Sequence, residues 1–174
     1  MTQKMDLKNI VRNIPDFPRP GILFRDITTL LNDRRAFKMS VDALARRYKN
    51  KKIAKVVAVE ARGFIFGGAI AHKLDAGFVP VRKKGKLPWK TNSVTYELEY
   101  GSDTLHMHND AIKPHDKVLI VDDLLATGGT ARAVVDLVNQ SGGKILGIAF
   151  LIELTDLKGR DKLKGYAVFS LIKF

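Results

Sequence analysis

The stretch from Lys117 to Gly143 constrains the fold more than any other part of the chain; it reads KVLIVDDLLATGGTARAVVDLVNQSGG. Val118 to Val121 are consecutive apolar residues, β-branched except for Leu119. This pattern is typical of a strand that is buried on both faces of a parallel sheet. A helix is predicted after the turn, because apolar residues recur there at helical spacing: Ala131, Val134, Val135 and Val138. Strand, turn and helix in this order favour an α/β fold.

The residues between the strand and the helix have the chemistry of a binding site. Asp122 and Asp123 end the predicted strand, and the turn Ala126-Thr127-Gly128-Gly129-Thr130 follows. Glycines let a backbone wrap closely around an anion, and a helix N-terminus adds unpaired N–H groups and a positive dipole. With its hydroxyl donors, this turn suits a phosphate monoester. The acidic pair would repel phosphate, so we expect it to face ribose hydroxyls, a metal shell or developing positive charge.

Each feature alone has an ordinary interpretation, as a solvated loop or a simple turn. Their position favours a site, because α/β folds bind ligands outside the carboxyl ends of parallel strands. Two other phosphate-binding patterns are excluded, since the chain contains neither GxxxxGKS/T nor GxGxxG.

The segment VDDLLATGGT resembles the phosphoribosyl-pyrophosphate (PRPP) motif of type I phosphoribosyltransferases, in the form found in adenine phosphoribosyltransferases. Five more segments are similar to that family: FPRPGILFRDIT, RKKGKLP, LEYG, ELTDLKGRDKL and FSLIKF. The resemblance runs from about Ile10 to Phe174. It implies a type I phosphoribosyltransferase fold, with a mostly parallel twisted sheet flanked by helices, an N-terminal hood and a flexible loop and hairpin. The implied reaction converts adenine and PRPP to AMP and pyrophosphate.

The resemblance also implies which residues contact the substrates. The 5′-phosphate and ribose of PRPP are expected at Asp122, Asp123, Ala126, Thr127, Gly128, Gly129 and Thr130. Pyrophosphate is expected at Glu60, Ala61, Arg62, Arg82, Lys83 and Lys86. Adenine is expected at Leu23, Phe24, Arg25 and Leu124, with main-chain groups of Arg25 reading its edge. The expected catalytic residues are Glu99, Asp122 and Asp123, with Glu99 handling the proton near the purine ring.

Three further expectations come from the same resemblance. Mg²⁺ is the implied cofactor, held mainly by PRPP and water with no direct protein ligand. A homodimer is implied, in which the basic loop after Val81 reaches the neighbouring site. The loop Glu60-Ala61-Arg62-Gly63 often contains a non-proline cis peptide in such enzymes.

The remaining elements are predicted from local patterns. A short helix is expected over residues 5–13, an irregular apolar hood over 14–28, and a helix over 33–48 with Asp33 as its N-cap. Further strands are expected at 56–59, 78–81, 144–154 and 166–172, the last at a sheet edge. Residues 95–101 and 104–108 suggest a hairpin whose turn is Gly101-Ser102-Asp103. The charged residues 83–94 predict a long mobile loop. The length favours a single domain over residues 1–174, with the hood at about 1–30.

The charge distribution leaves the choice of partners open. Residues 1–90 carry 21 Lys and Arg against 7 Asp and Glu, whereas residues 91–174 carry 9 against 11. A solubilising surface, nucleic-acid binding and attraction of an anionic substrate are all compatible with this excess. No sequence-specific nucleic acid and no membrane is expected. Because cysteine and a secretory signal are absent, a cytoplasmic location is expected. The rival functions are a type I enzyme for another purine and an RNA-binding regulator.

Overall fold

Nine strands and four α-helices are present in residues 5–97 and 101–174, the part of the chain that the computed structural model describes. The strands are β1 (Arg12–Ile14), β2 (Phe24–Asp26), β3 (Lys55–Val59), β4 (Gly77–Lys83), β5 (Thr91–Glu97), β6 (Ser102–His108), β7 (Lys117–Leu125), β8 (Lys144–Glu153) and β9 (Val168–Lys173). The helices are α1 (Thr28–Asn32), α2 (Arg34–Arg46), α3 (Arg62–Lys73) and α4 (Gly129–Gln140).

A seven-stranded sheet with the order β5-β6-β4-β3-β7-β8-β9 forms the centre of the fold. The strands from β4 to β9 in this order are parallel, whereas β6 runs antiparallel to β4 and β5 runs antiparallel to β6. The expected mostly parallel α/β sheet is therefore confirmed, and β9 closes one edge as expected. The hairpin extends this sheet.

The central strand β7 is buried on both faces, as its apolar run predicts. Leu119 and Val121 pack in one core cluster with Phe66 of α3. Val118 and Ile120 belong to a second cluster, which includes the buried valines of α4. Alternate residues of one strand thus fill two cores. Helices cover both faces, and the loops of the carboxyl edge remain outside the cores.

The predicted boundaries differ from the structure at the N-terminus. A 3-10 helix covers only Leu7–Ile10, and the chain is extended from Val11 because Arg12–Ile14 pairs with Phe24–Asp26 in a small antiparallel sheet. This β1–β2 ribbon is the strand pair of the hood. The predicted cap of α2 is confirmed, since the Asp33 carboxylate accepts the N–H groups of Arg35 and Ala36.

Three other boundaries are also corrected. Strand β7 continues to Leu125, so Asp122 and Asp123 lie within it and do not end it. Ser102 and Asp103 belong to β6 and not to the turn. The segment predicted as a long loop is shorter, because β5 begins at Thr91 and pairs with β6. Within the described residues, no helix combines the length and the apolar character needed to cross a bilayer.

Candidate active site

A cavity of about 220 Å³ lies at the carboxyl edge of the sheet, where β7 leads into α4. Its lining consists of Arg62 and every residue from Asp122 to Ala131. Since β3 and β7 are parallel neighbours, the start of α3, which follows β3, places Arg62 beside the turn. The structure therefore brings the acidic pair, the glycine turn and one cation into a single concave site, as the sequence predicts.

The glycine turn exposes backbone donors because of its conformation. Gly128 has φ +80° and is the N-cap residue of α4. Because glycine has no side chain, it makes no side-chain capping hydrogen bond to the first N–H groups of the helix. The N–H groups of the first turn of a helix have no intrahelical acceptor, and they lie at the positive end of the helix dipole. The hydroxyl of Thr130 donates to the Tyr96 hydroxyl at 3.4 Å, which ties the helix start to β5.

The two carboxylates beside the turn are close together and largely shielded from water. Asp122 Oδ1 accepts the N–H of Asp123 at 2.9 Å, and a Cβ placed on Gly63 would lie 2.6 Å from the same oxygen. Burial, with the neighbouring Asp123 carboxylate adding to it, raises the pKa of Asp122 well above its usual value. Burial also raises the pKa of Asp123, against the opposing effect of Arg62. Ionising both carboxylates is therefore unfavourable in this site, and Arg62 offsets that cost only in part.

Arg62 connects the acidic pair to the hood. Its Nε lies 2.8 Å from Asp123 Oδ2, and its guanidinium carbon lies 5.4 Å from the centre of the Phe24 ring. Phe24 in turn meets Phe17 edge to face, with ring centroids 5.1 Å apart. An aromatic surface of the hood thus reaches the same region as the phosphate turn and the carboxylates.

The other hood residues differ in what they present to a ligand. Leu23 is exposed over 45% of its surface and Phe24 is half-buried. The side chain of Arg25 is directed elsewhere, since its guanidinium carbon sits 3.9 Å from the centre of the Phe174 ring and Nη1 bonds to Asn13 Oδ1. The Arg25 side chain is thus engaged with Phe174 and Asn13, and the reading of a base by its main chain stays a prediction. Leu124 lines the cavity beside the turn.

The predicted pyrophosphate residues lie at the carboxyl ends of β3 and β4: Glu60 and Ala61 follow β3, Arg62 begins α3, Arg82 and Lys83 end β4, and Lys86 follows it. The expected cis peptide is present between Glu60 and Ala61. Glu60 Oε2 accepts from Arg82 Nε at 2.9 Å and from Nη2 at 2.8 Å, while Oε1 accepts the Lys83 N–H at 2.7 Å. Burial of Glu60 opposes these bonds, but their net effect lowers its pKa. Glu60 therefore holds Arg82 and the start of the basic loop in place, and the exposed Lys86 follows.

Comparison with known proteins identifies the chain's relatives. The family model for the phosphoribosyl transferase domain matches residues 28–174. An adenine phosphoribosyltransferase of Acidobacterium capsulatum is 60% identical over 97% of this chain and 93% of its own length. The chain belongs to the adenine phosphoribosyltransferase family. Two crystal structures of the family agree with the fold. That from Thermoanaerobacter pseudethanolicus is 54% identical, with a TM-score of 0.93 over 97% of this chain and 98% of that one. That from Saccharomyces cerevisiae, complexed with adenine and an imino-altritol bisphosphate, is 43% identical, with a TM-score of 0.90 over 95% and 96%.

Some members of the site escape sequence reasoning, and one expected member cannot be placed. Glu99 lies outside the described residues. Gly63 makes room for the Asp122 carboxylate, and Gly159 packs against Gly128, where an added Cβ would lie 2.3 Å from the Gly159 carbonyl oxygen. Both glycines stand in segments that resemble the family, but their contacts join parts of the chain that are far apart in sequence.

Proposed function

We propose that this protein is an adenine phosphoribosyltransferase, which transfers the 5-phosphoribosyl group of PRPP to adenine and releases pyrophosphate. One observation carries the proposal: Arg62 contacts both the Asp123 carboxylate and the Phe24 ring, at the cavity that the glycine turn encloses. A phosphate site, a carboxylate pair and an aromatic base site are thus contiguous. The resemblance to a family member whose crystal structure contains adenine supports the choice of base.

The turn from Ala126 to Thr130 binds the 5′-phosphate of PRPP in this proposal. Its backbone N–H groups and the positive end of α4 favour an anion, while Thr127 and Thr130 add hydroxyl groups. Gly128 and Gly129 allow the backbone to approach the phosphate oxygens closely. Because these donors are fixed before the substrate arrives, little free energy is spent on ordering them.

Asp122 and Asp123 act on the ribose. Their carboxylates accept hydrogen bonds from ribose hydroxyls, and they stabilise positive charge that develops on the sugar as the bond to pyrophosphate breaks. The geometry suits this role, because the Arg62 ion pair lies at Asp123, and ionising the buried Asp122 is unfavourable until positive charge develops beside it. A positively charged transition state would lower the raised pKa of the pair. The stabilisation is therefore larger in the transition state than in the ground state.

Adenine lies against the hood. Phe24, half-buried between Phe17 and Arg62, offers a flat aromatic face, and the exposed Leu23 adds apolar surface. The main chain of Arg25 reads the edge of the base, and Leu124 borders it from the turn. Glu99 stays a prediction as the residue that handles the purine proton.

Pyrophosphate leaves between the start of α3 and the basic loop. Arg62 and Lys86 supply positive charge there, and Glu60 fixes Arg82 and the backbone of Lys83. Mg²⁺ fits this site as an ion held mainly by the substrate, because the cavity offers the carboxylates of Asp122 and Asp123 and Mg²⁺ commonly keeps water and phosphate ligands. When bound, it would neutralise part of the pyrophosphate charge.

A homodimer is part of the proposal. The outer side of α3 and β4 leaves large apolar side chains uncovered, with Ile65 exposed by 41% and Phe78 by 37%, while Phe64 packs edge to face on Phe78. The basic loop begins only a few residues after Phe78 along β4. A second copy that covers this face would therefore lie within reach of the loop. We also propose a single domain over residues 1–174 with a hood at about 1–30, and the cytoplasmic location stays a prediction.

The test of this function is a comparison of bases. Adenine, hypoxanthine, guanine and xanthine are each incubated with PRPP and Mg²⁺, and nucleotide and pyrophosphate are both measured. We expect AMP and pyrophosphate in equal amounts from adenine and little product from the 6-oxopurines. Asp123→Asn is the matched control, because it keeps the shape of the side chain and removes its charge. A higher kcat/KM with a 6-oxopurine, or no reaction with adenine, would reject the proposal.

A further inference from the structure

The phosphate turn packs against a segment that has no role in the reaction proposed above. An added Cβ on Gly128 would lie 2.3 Å from the carbonyl oxygen of Gly159, and an added Cβ on Gly159 would lie 2.2 Å from the carbonyl oxygen of Ala126. The two backbones therefore touch directly, with no room for a side chain on either side. The position of Gly159 fixes how far the turn can move away from the cavity.

Gly159 begins a short 3-10 helix, Gly159–Leu163, which follows β8 and lies outside the sheet. The neighbouring Arg160 joins this helix to the sheet. Its guanidinium donates from Nε to Glu153 Oε1 at 2.6 Å and from Nη2 to Glu153 Oε2 at 2.7 Å. It also donates from Nη1 to the Val168 carbonyl at 3.0 Å and from Nη2 to Ser170 Oγ at 3.3 Å. One side chain is thus bonded to both β8 and β9.

The partner of Arg160 is well placed to transmit this restraint. Glu153 is the last residue of β8, is only 5% exposed, and lies opposite Leu125 of β7 in the parallel ladder. Leu125 is the residue immediately before the turn. The bond to Arg160, opposed by burial, lowers the pKa of Glu153, so the pair is ionised near neutral pH. A bidentate pair of hydrogen bonds between a carboxylate and a guanidinium fixes the orientation of the two groups as well as their distance.

We propose that Glu153 and Arg160 are positioning residues for PRPP: their ion pair holds the Gly159 carbonyl against Gly128 and thereby sets the backbone donors of the phosphate turn. The proposal rests on the function proposed above. A positioning role and a purely stabilising role predict different effects on the two substrates. Loosening the pair should weaken binding of the phosphoribosyl group, whereas the adenine site on the hood should be unaffected.

The experiment compares Glu153→Gln and Arg160→Lys with the wild-type protein. Glu153→Gln keeps the side-chain shape but removes the charge, and Arg160→Lys keeps the charge but loses the forked geometry. Asp42→Asn is the control: it breaks an ion-pair cluster with Lys38 and Lys73 on the surface of α2 and α3, away from the turn. The KM values for PRPP and for adenine are measured separately, together with thermal unfolding and with calorimetric titration of AMP.

We expect KM for PRPP to rise by roughly 10- to 100-fold in both variants, since a displacement of about 1 Å can reduce rates on the order of 100-fold. KM for adenine should stay within about twofold in both variants, and Asp42→Asn should change neither KM. Equal increases in both KM values, or lower thermal stability with unchanged kinetics, would overturn the positioning role. Arg160→Lys, the milder change, gives this answer even if Glu153→Gln does not fold. A wild-type protein inactive with PRPP would instead reject the function itself.

Discussion

Replacing Gly128 with alanine tests whether the shape of the phosphate turn controls PRPP binding. Two costs follow from the structure. The residue has φ +80°, and the left-handed region costs a non-glycine residue about 1–2 kcal/mol. In addition, the new Cβ would lie 2.3 Å from the Gly159 carbonyl oxygen, whereas ordinary contacts begin at 3.4 Å. Relieving that overlap requires the turn to retreat by about 1 Å, and strain of this kind typically costs about 1–3 kcal/mol.

The expected result is a loss of PRPP affinity together with a loss of folding stability. A shift of about 1 Å in the phosphate donors should weaken PRPP binding by roughly 10- to 100-fold. The midpoint of thermal unfolding should fall by several degrees, since about 1 kcal/mol corresponds to roughly 2–4 °C in a protein of this size. Binding is measured by calorimetric titration with PRPP in the presence of Mg²⁺.

A matched glycine separates the two costs. Gly165 has φ +91° but no atom within 4 Å of an added Cβ, so Gly165→Ala carries the backbone cost without the overlap. We expect this variant to lose some thermal stability while its PRPP affinity stays near that of the wild type. The reasoning is refuted if Gly128→Ala binds PRPP normally, or if Gly165→Ala loses as much affinity as Gly128→Ala.

Three further predictions concern charge. Folding raises the pKa of Asp122, so this carboxyl contributes to stability at low pH, and the contribution is lost as the pH rises through the raised pKa. Asp122→Asn should therefore unfold at a higher temperature than wild type at neutral pH, while kcat falls. A lower unfolding temperature would contradict this. Lys86→Ala should lower kcat/KM and leave the unfolding temperature unchanged, whereas the neighbouring Lys84→Ala should change neither. If the loop crosses the interface, mixed dimers of Lys86→Ala and Asp123→Asn subunits should regain activity. Duplex DNA and RNA should bind only weakly at physiological salt and without sequence preference, as a filter-binding salt series would show; selective nanomolar binding would favour a regulatory role instead.

The sequence predicts the centre of the site well, because local and non-local constraints agree there. A strand buried on both faces must read as an unbroken apolar run, and Val118 to Val121 do so. Asp122 comes directly after that run, and the glycine turn follows. A binding site is predicted there, because α/β folds bind ligands outside the carboxyl ends of their parallel strands. The cap of α2 at Asp33 is equally local, since its carboxylate bonds to N–H groups two and three residues ahead.

The failures fall where distant segments decide the local structure. Residues 5–13 have helical spacing, but Arg12–Ile14 gains hydrogen bonds from the Phe24 strand, which ends the helix early. Residues 91–94 look too polar to order themselves, yet β6 provides a partner strand. The contacts of Gly159 with Gly128 and of Arg62 with Phe24 depend on packing, and no periodicity in the sequence encodes them.

A crystal structure of the protein with AMP tests the central claim most directly, because AMP contains the phosphate, the ribose and the base together. We expect phosphate oxygens within hydrogen-bonding distance of the N–H groups of residues 126–130 and ribose hydroxyls at Asp122 and Asp123. We also expect the adenine ring against Phe24, with its edge at the main chain of Arg25. A phosphate bound away from the turn, or a base that does not contact the hood, would contradict the account.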